Sequence, residues 1–73
     1  MDSPAPVITI RVNGEPFTVP ARCTLEELLE RMDMGSQRVA VEHNEDVVPR
    51  SEYAATGLQD GDRVEIIRAI GGG

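Results

Sequence analysis

The sequence ends in Ile70-Gly71-Gly72-Gly73, an ending whose chemistry lies in its main chain. Glycine has no Cβ, so a run of three can lie extended, thread a narrow channel and accept φ values closed to other residues. Three extended residues reach roughly 10 Å beyond whatever precedes them. An α-carboxyl ionises near about 3.3–3.7, so a terminal Gly73 is expected to be a carboxylate at neutral pH. A carboxylate is an oxygen nucleophile toward the α-phosphate of ATP, and the acyl-adenylate so formed is an activated acyl donor. No side chain beside the Gly73 carbonyl hinders attack on it. In that chemistry the chain is substrate and carrier, and the catalytic groups belong to a partner. Taken alone, the glycines fit a frayed end or a linker remnant equally well, so the rest of the chain must separate these readings.

The other reactive residue types are sparse. Asp60 and Asp62 flank Gly61, and Glu45-Asp46 sit in a turn signal. A calcium loop needs a longer run of oxygen ligands and a distal Glu, so these acids are expected to be solvated turn residues. His43 is the only histidine and lies on the apolar phase of its segment. Without a second His or Cys to complete a ligand set, it is expected to be packed or at an edge. Cys23 precedes a helix start, where a thiol pKa can fall, but its position equally suits apolar packing. The internal glycines occur singly, so no phosphate-binding loop is present. The expectation is a non-enzyme with no catalytic residues, no metal site and no bound cofactor.

Composition narrows the partners. The chain has 73 residues, enough for one domain with a modest core. It has one Phe, one Tyr and no Trp, so the core must be aliphatic. The net charge of −6, from 13 acidic and 7 basic residues, leaves little basic surface to neutralise phosphates and argues against nucleic acid. It suits docking on basic patches of protein partners. All 7 basic residues are Arg, so no lysine on the chain can capture an activated Gly73. No apolar run approaches the ~20 residues of a bilayer span, and Met1-Asp2-Ser3-Pro4-Ala5-Pro6 lacks the features of a secretory signal. With one unpaired cysteine, these features lead to the expectation of a cytoplasmic protein away from membranes.

Local patterns supply the elements that must position the tail. Val7–Val12 alternates, Asn13-Gly14 is a strong hairpin signal, and Pro16–Pro20 returns with Phe17 and Val19 on one face. Thr24-Leu25-Glu26-Glu27 reads as a capping box, with Cys23 and Leu28 as a hydrophobic staple. The predicted helix runs from about Leu25 to Met34, with Gly35 as its C′ residue and Leu25, Leu28, Leu29 and Met32 as its apolar stripe. Val39–Asn44 is a third strand, Asn44–Asp46 a turn and Val47–Pro49 a short extended piece. Ser51–Thr56 suggests a turn of helix, Asp60–Asp62 a tight turn and Arg63–Ile70 a last strand. One helix on a small mixed sheet is an α+β arrangement. The simplest closure puts the last strand beside the first, which is the ubiquitin-like β-grasp. The expected organisation is a disordered lead-in at 1–6, a β-grasp domain of four to five strands at 7–70 and a flexible tail at 71–73.

In order along the chain, Asn13-Gly14-Glu15, Cys23–Leu29, Val39–Tyr53, Asp60–Ile66 and the terminal glycines resemble the ThiS family, the sulfur carriers of thiamine biosynthesis. The most specific stretch is Asn44 with Val47-Val48-Pro49-Arg50-Ser51 and Tyr53. The Asp-Gly-Asp turn and the glycine tail are shared with the wider ThiS/MoaD-type β-grasp carriers. The resemblance implies that an E1-like adenylating enzyme (ThiF/MoeB type) uses ATP to activate Gly73, and that sulfur replaces the adenylate as a thiocarboxylate. It implies thiazole synthase (ThiG) as sulfur acceptor and a sulfur donor such as a cysteine desulfurase. Gly71 and Gly72 would form the tail, and Gly71 is a third glycine where the family pattern has two. His43 stands where the pattern is usually aliphatic. Ile67 and Ala69, on the sheet face away from the helix, with Arg68 and Ile70 beside the tail, form the expected partner interface. The alternatives are a carrier for molybdopterin or amino-acid synthesis, and a ubiquitin-like protein modifier.

Overall fold

The structure is a computed structural model, and it describes residues 6–68. The tail glycines, Ala69, Ile70 and residues 1–5 of the expected lead-in lie outside the described residues. Five strands and one α-helix follow in the order β1 (Val7–Val12), β2 (Glu15–Pro20), α1 (Leu25–Arg31), β3 (Val39–His43), β4 (Asp46–Val48) and β5 (Arg63–Arg68), with a 3₁₀ helix over Arg50–Ala55. The sheet order is β2-β1-β5-β3-β4, with β5 parallel to β1 and antiparallel to β3. This is the expected β-grasp arrangement, with the last strand at its centre. No helix among the described residues is long and apolar enough to cross a membrane.

The first hairpin forms as expected. Asn13 (φ 52°) and Gly14 (φ 86°) both take the left-handed conformation of a type I′ turn, and Val12 pairs with Glu15. The Pro6 carbonyl accepts from the Ala21 N–H at 3.0 Å, so the fastening of this hairpin begins one residue before β1. The capping box is complete: the Thr24 hydroxyl accepts from the Glu27 N–H, and the Glu27 carboxylate accepts from the Thr24 N–H. Cys23 and Leu28 are both buried in the same apolar cluster, consistent with a staple.

The helix stops three residues before its expected end. Met32 is the C-cap, and Asp33, not Gly35, takes the left-handed C′ position at φ 61°. The Asp33 N–H donates to the Glu30 carbonyl and the Met34 N–H to the Leu29 carbonyl, a Schellman closure. Met34 then folds back onto the core. An aspartate tolerates this conformation, and the apolar contact of Met34 places it two residues earlier than glycine would.

A second tight hairpin also departs from expectation. The Asn44–Asp46 turn is a two-residue loop, Asn44 (φ 51°) and Glu45 (φ 75°), and Asp46 already belongs to β4. The core beneath the sheet is aliphatic, as expected, around Ile10, Val19, Leu25, Leu28, Val41 and Val64, each at most 1% exposed. Tyr53 is the one aromatic buried within it.

Candidate functional site

Strand β5 is the element that leads to the glycines, and the structure fastens it on both sides. Arg11 and Val12 of β1 are in register with Arg63 and Val64, while β3 pairs along the full strand from His43↔Val64 to Val39↔Arg68. Beyond Val12 the parallel ladder cannot continue, because β1 turns away at Asn13. The Asn13 carboxamide takes over: its Oδ1 accepts from the Ile66 N–H at 2.8 Å and its Nδ2 donates to the Ile66 carbonyl at 3.4 Å. A turn residue thereby imitates one more residue of strand. Sequence reading identified Asn13 only as a turn former, since the bond joins residues 53 apart.

The corner before β5 is equally fixed. Gly61 (φ 88°) allows the tight turn, and its N–H donates to the Thr9 carbonyl at 2.9 Å. Asp60 is an exposed turn acid, as expected, and Asp62 beside it is half-buried; both carboxylates also accept backbone hydrogen bonds. Asp60 Oδ1 accepts from the Thr9 N–H at 2.9 Å. Asp62 accepts from the Gln59 N–H at 2.9 Å and from Asn44 Nδ2 at 3.2 Å, and its Oδ2 lies 2.6 Å from His43 Nε2. Burial pushes the Asp62 carboxyl up, but the bonds from His43, Gln59 and Asn44 outweigh it and hold its pKa below the ordinary value. Asn44 completes the corner by accepting the Arg63 N–H at 2.9 Å. His43 is thus a half-buried histidine at the end of an interior strand, with a partner. Its phase was readable, but its pairing with a turn 19 residues away was not.

Cys23 is 2% exposed, and burial pushes its thiol up, so packing is the role the structure supports. Among the described residues no group of three or more metal-ligating side chains converges. Ile67 is 54% exposed on the face away from α1, as expected. Arg68 is exposed too, but it falls in the phase of Val64 and Ile66, so the strand does not place it on one face with Ile67. Ala69, Ile70, Gly71, Gly72 and Gly73 lie outside the described residues. The described chemistry therefore amounts to orientation: a central strand clamped at its start by Asp60, Asp62 and Asn44 and near its end by Asn13.

Comparison with known proteins agrees with this architecture. The model of the ThiS family matches residues 10–73. The sulfur carrier protein ThiS of Escherichia coli K12 is 34% identical over 64 residues, covering 88% of this chain and 97% of that protein. The crystal structure of a thiamine biosynthesis protein, ThiS, from Geobacter metallireducens superposes with a TM-score of 0.78 at 36% identity, covering 90% of this chain and 100% of that one. A thiazole synthase of Paramagnetospirillum magneticum is 45% identical over 62 residues, 85% of this chain but 19% of the synthase, so the chain spans only about a fifth of that relative. Family model, sequence and fold agree over nearly the whole chain, which belongs to the ThiS family of small sulfur carriers.

Proposed function

We propose that this chain carries sulfur as a thiocarboxylate on Gly73 and delivers it for thiazole formation in thiamine biosynthesis. The observation that carries this reading is the placement of β5: a clamped central strand that leads, in sequence, to three glycines. Membership of the ThiS family and the names of its relatives support the pathway. Segments similar to this chain also occur within thiazole synthases, which supports that enzyme as the sulfur acceptor.

The proposed chemistry requires a free carboxylate on Gly73. An E1-like enzyme holds ATP beside Gly73. A carboxylate oxygen attacks the α-phosphorus, pyrophosphate leaves, and a mixed anhydride forms. A persulfide on a donor such as a cysteine desulfurase then attacks the acyl carbon, AMP leaves with the former carboxylate oxygen, and a thiol attacks the donor sulfur of the resulting acyl disulfide, releasing the thiocarboxylate as the two thiol sulfurs are oxidised to a disulfide. The product is a thiocarboxylate, one oxygen exchanged for one sulfur. The chain supplies the acyl group and its presentation, and the partner enzymes supply the catalytic groups.

Complementation tests the pathway. In a strain lacking its own sulfur carrier, this chain should restore growth without added thiazole, and a variant lacking Gly73 should fail while keeping its fold. Rescue of the defect by molybdopterin products instead of thiazole would contradict the assignment.

A further inference from the structure

The first turn requires little of Asn13. Its position needs a positive φ, which glycine and aspartate also accept, and nothing in the turn calls for a carboxamide. The carboxamide crosses to another strand instead. Oδ1 accepts from the Ile66 N–H at 2.8 Å and Nδ2 donates to the Ile66 carbonyl at 3.4 Å, so one side chain takes both main-chain groups of one residue.

These two bonds complete a series. On the side facing β1, the chain entering and forming β5 is held at every second residue. The Asp62 carbonyl accepts from the Arg11 N–H at 2.9 Å, the Val64 carbonyl accepts from the Asn13 N–H at 2.9 Å, and Ile66 meets the Asn13 carboxamide. Arg68 is next in that phase, and among the described residues no bond from β1 or its turn reaches it. Only β3 pairs there, through Val39. Ile66 is therefore the last residue of β5 held from both sides, and residues 67–73 follow it. Seven extended residues reach at most roughly 25 Å, and a swing of about 10° at their base moves the far end by roughly 4 Å.

We propose that Asn13 is a positioning residue for the activation of Gly73. Its carboxamide fixes the direction in which β5 passes into the tail, and so the fraction of docked chains whose terminal carboxylate meets the α-phosphorus of ATP. The inference rests on the carrier reading above. It gives Asn13 no part in docking, because the carboxamide is already engaged by Ile66. Attack on phosphorus is an oriented step, and small misplacements of the attacking group cost rate. Orientation lost after docking lowers kcat and leaves KM in place. Three glycines let the activating enzyme correct part of any misdirection, which keeps the expected effect moderate.

The experiment measures steady-state ATP–pyrophosphate exchange by the activating enzyme with the full natural chain and three variants. Asn13→Gly keeps the turn and removes both bonds; kcat should fall roughly 3–10-fold with KM within about 2-fold of the natural value. Asn13→Asp keeps the acceptor for the Ile66 N–H and loses the weaker donor, so its kcat should lie between the two. Thr24→Ala removes the N-cap of α1, lowers stability by a comparable amount and should leave both constants unchanged, since the chain stays folded. A natural kcat in Asn13→Gly would overturn the inference. So would a rise in KM alone, which would make Asn13 a docking contact, or an equal loss of kcat in Thr24→Ala, which would make the effect one of stability. A natural chain that supports no exchange removes the carrier reading and this inference with it, whereas equal exchange by the natural chain and Asn13→Gly removes only the inference.

Discussion

On the face beneath α1, β5 presents Val64 and Ile66, both buried among aliphatic neighbours. On the opposite face the same strand presents Arg63, Glu65 and Ile67, all exposed. The inner residues are chosen for mutual fit, and the outer ones include Arg63 in register with Arg11 and Glu65 in register with Glu42, like charges that repel each other in the free chain. The difference teaches where each demand on the strand is met. Stability comes from one side and from the polar clamps on β5, while the other side of the strand is exposed.

The sharpest way to break this division is to empty the inner face. Leu28→Ala removes a fully buried side chain under the sheet and should lower unfolding free energy by about 2–5 kcal/mol, measured by denaturant unfolding. A loss under about 1 kcal/mol would mean that the core is less cooperative than its packing implies.

Next in size is the corner that starts β5. Asp62→Ala leaves the Gln59 N–H, the Asn44 amide and His43 without their shared acceptor and should cost about 1–3 kcal/mol. The pH dependence has a definite sign. The folded pKa of Asp62 lies below its ordinary value, so the unfolded chain binds this proton at higher pH than the folded one. Its stabilisation is present above the unfolded value of about 3.9 and is lost as pH falls through the folded pKa. Acid titration of stability should therefore be shallower in Asp62→Asn than in the natural chain below pH ~4.

A smaller effect is expected at the other end of β5. Asn13→Gly keeps the left-handed turn and removes only the carboxamide clip on Ile66. It should cost about 0.5–1.5 kcal/mol and speed hydrogen exchange at the Ile66 amide more than at Val64. Uniformly faster exchange would show that the turn, and not the clip, had been damaged. Smallest of all in stability is Ile67→Ser on the outer face, which should stay within about 0.5 kcal/mol of the natural chain while weakening binding to the sulfur-accepting enzyme. Unaltered binding would remove Ile67 from the interface.

These regions also differed in how readable they were. The first hairpin, the capping box and the apolar stripe of α1 follow from neighbours within a few residues, and all three formed where the pattern placed them. The pattern puts the end of α1 too late because glycine is the usual C′ signal, whereas Asp33 takes that position and Met34 closes the motif on the core. The β3–β4 turn is one residue shorter than its sequence suggests, since Glu45 at φ 75° is an uncommon occupant of the left-handed region. The Asp62–His43 pair and the Asn13 clip were invisible because each joins residues far apart in the chain, and each residue already had a sufficient local explanation. The clamps on β5 are products of topology, and only the assembled sheet shows them.

Intact-mass spectrometry of the purified chain after incubation with ATP, the adenylating enzyme and a sulfur donor tests the central claim most directly. The account predicts a mass gain equal to one oxygen-for-sulfur exchange, located at Gly73 and absent from a folded variant lacking that residue. A chain that keeps its original mass, or that gains sulfur elsewhere than at Gly73, would contradict it.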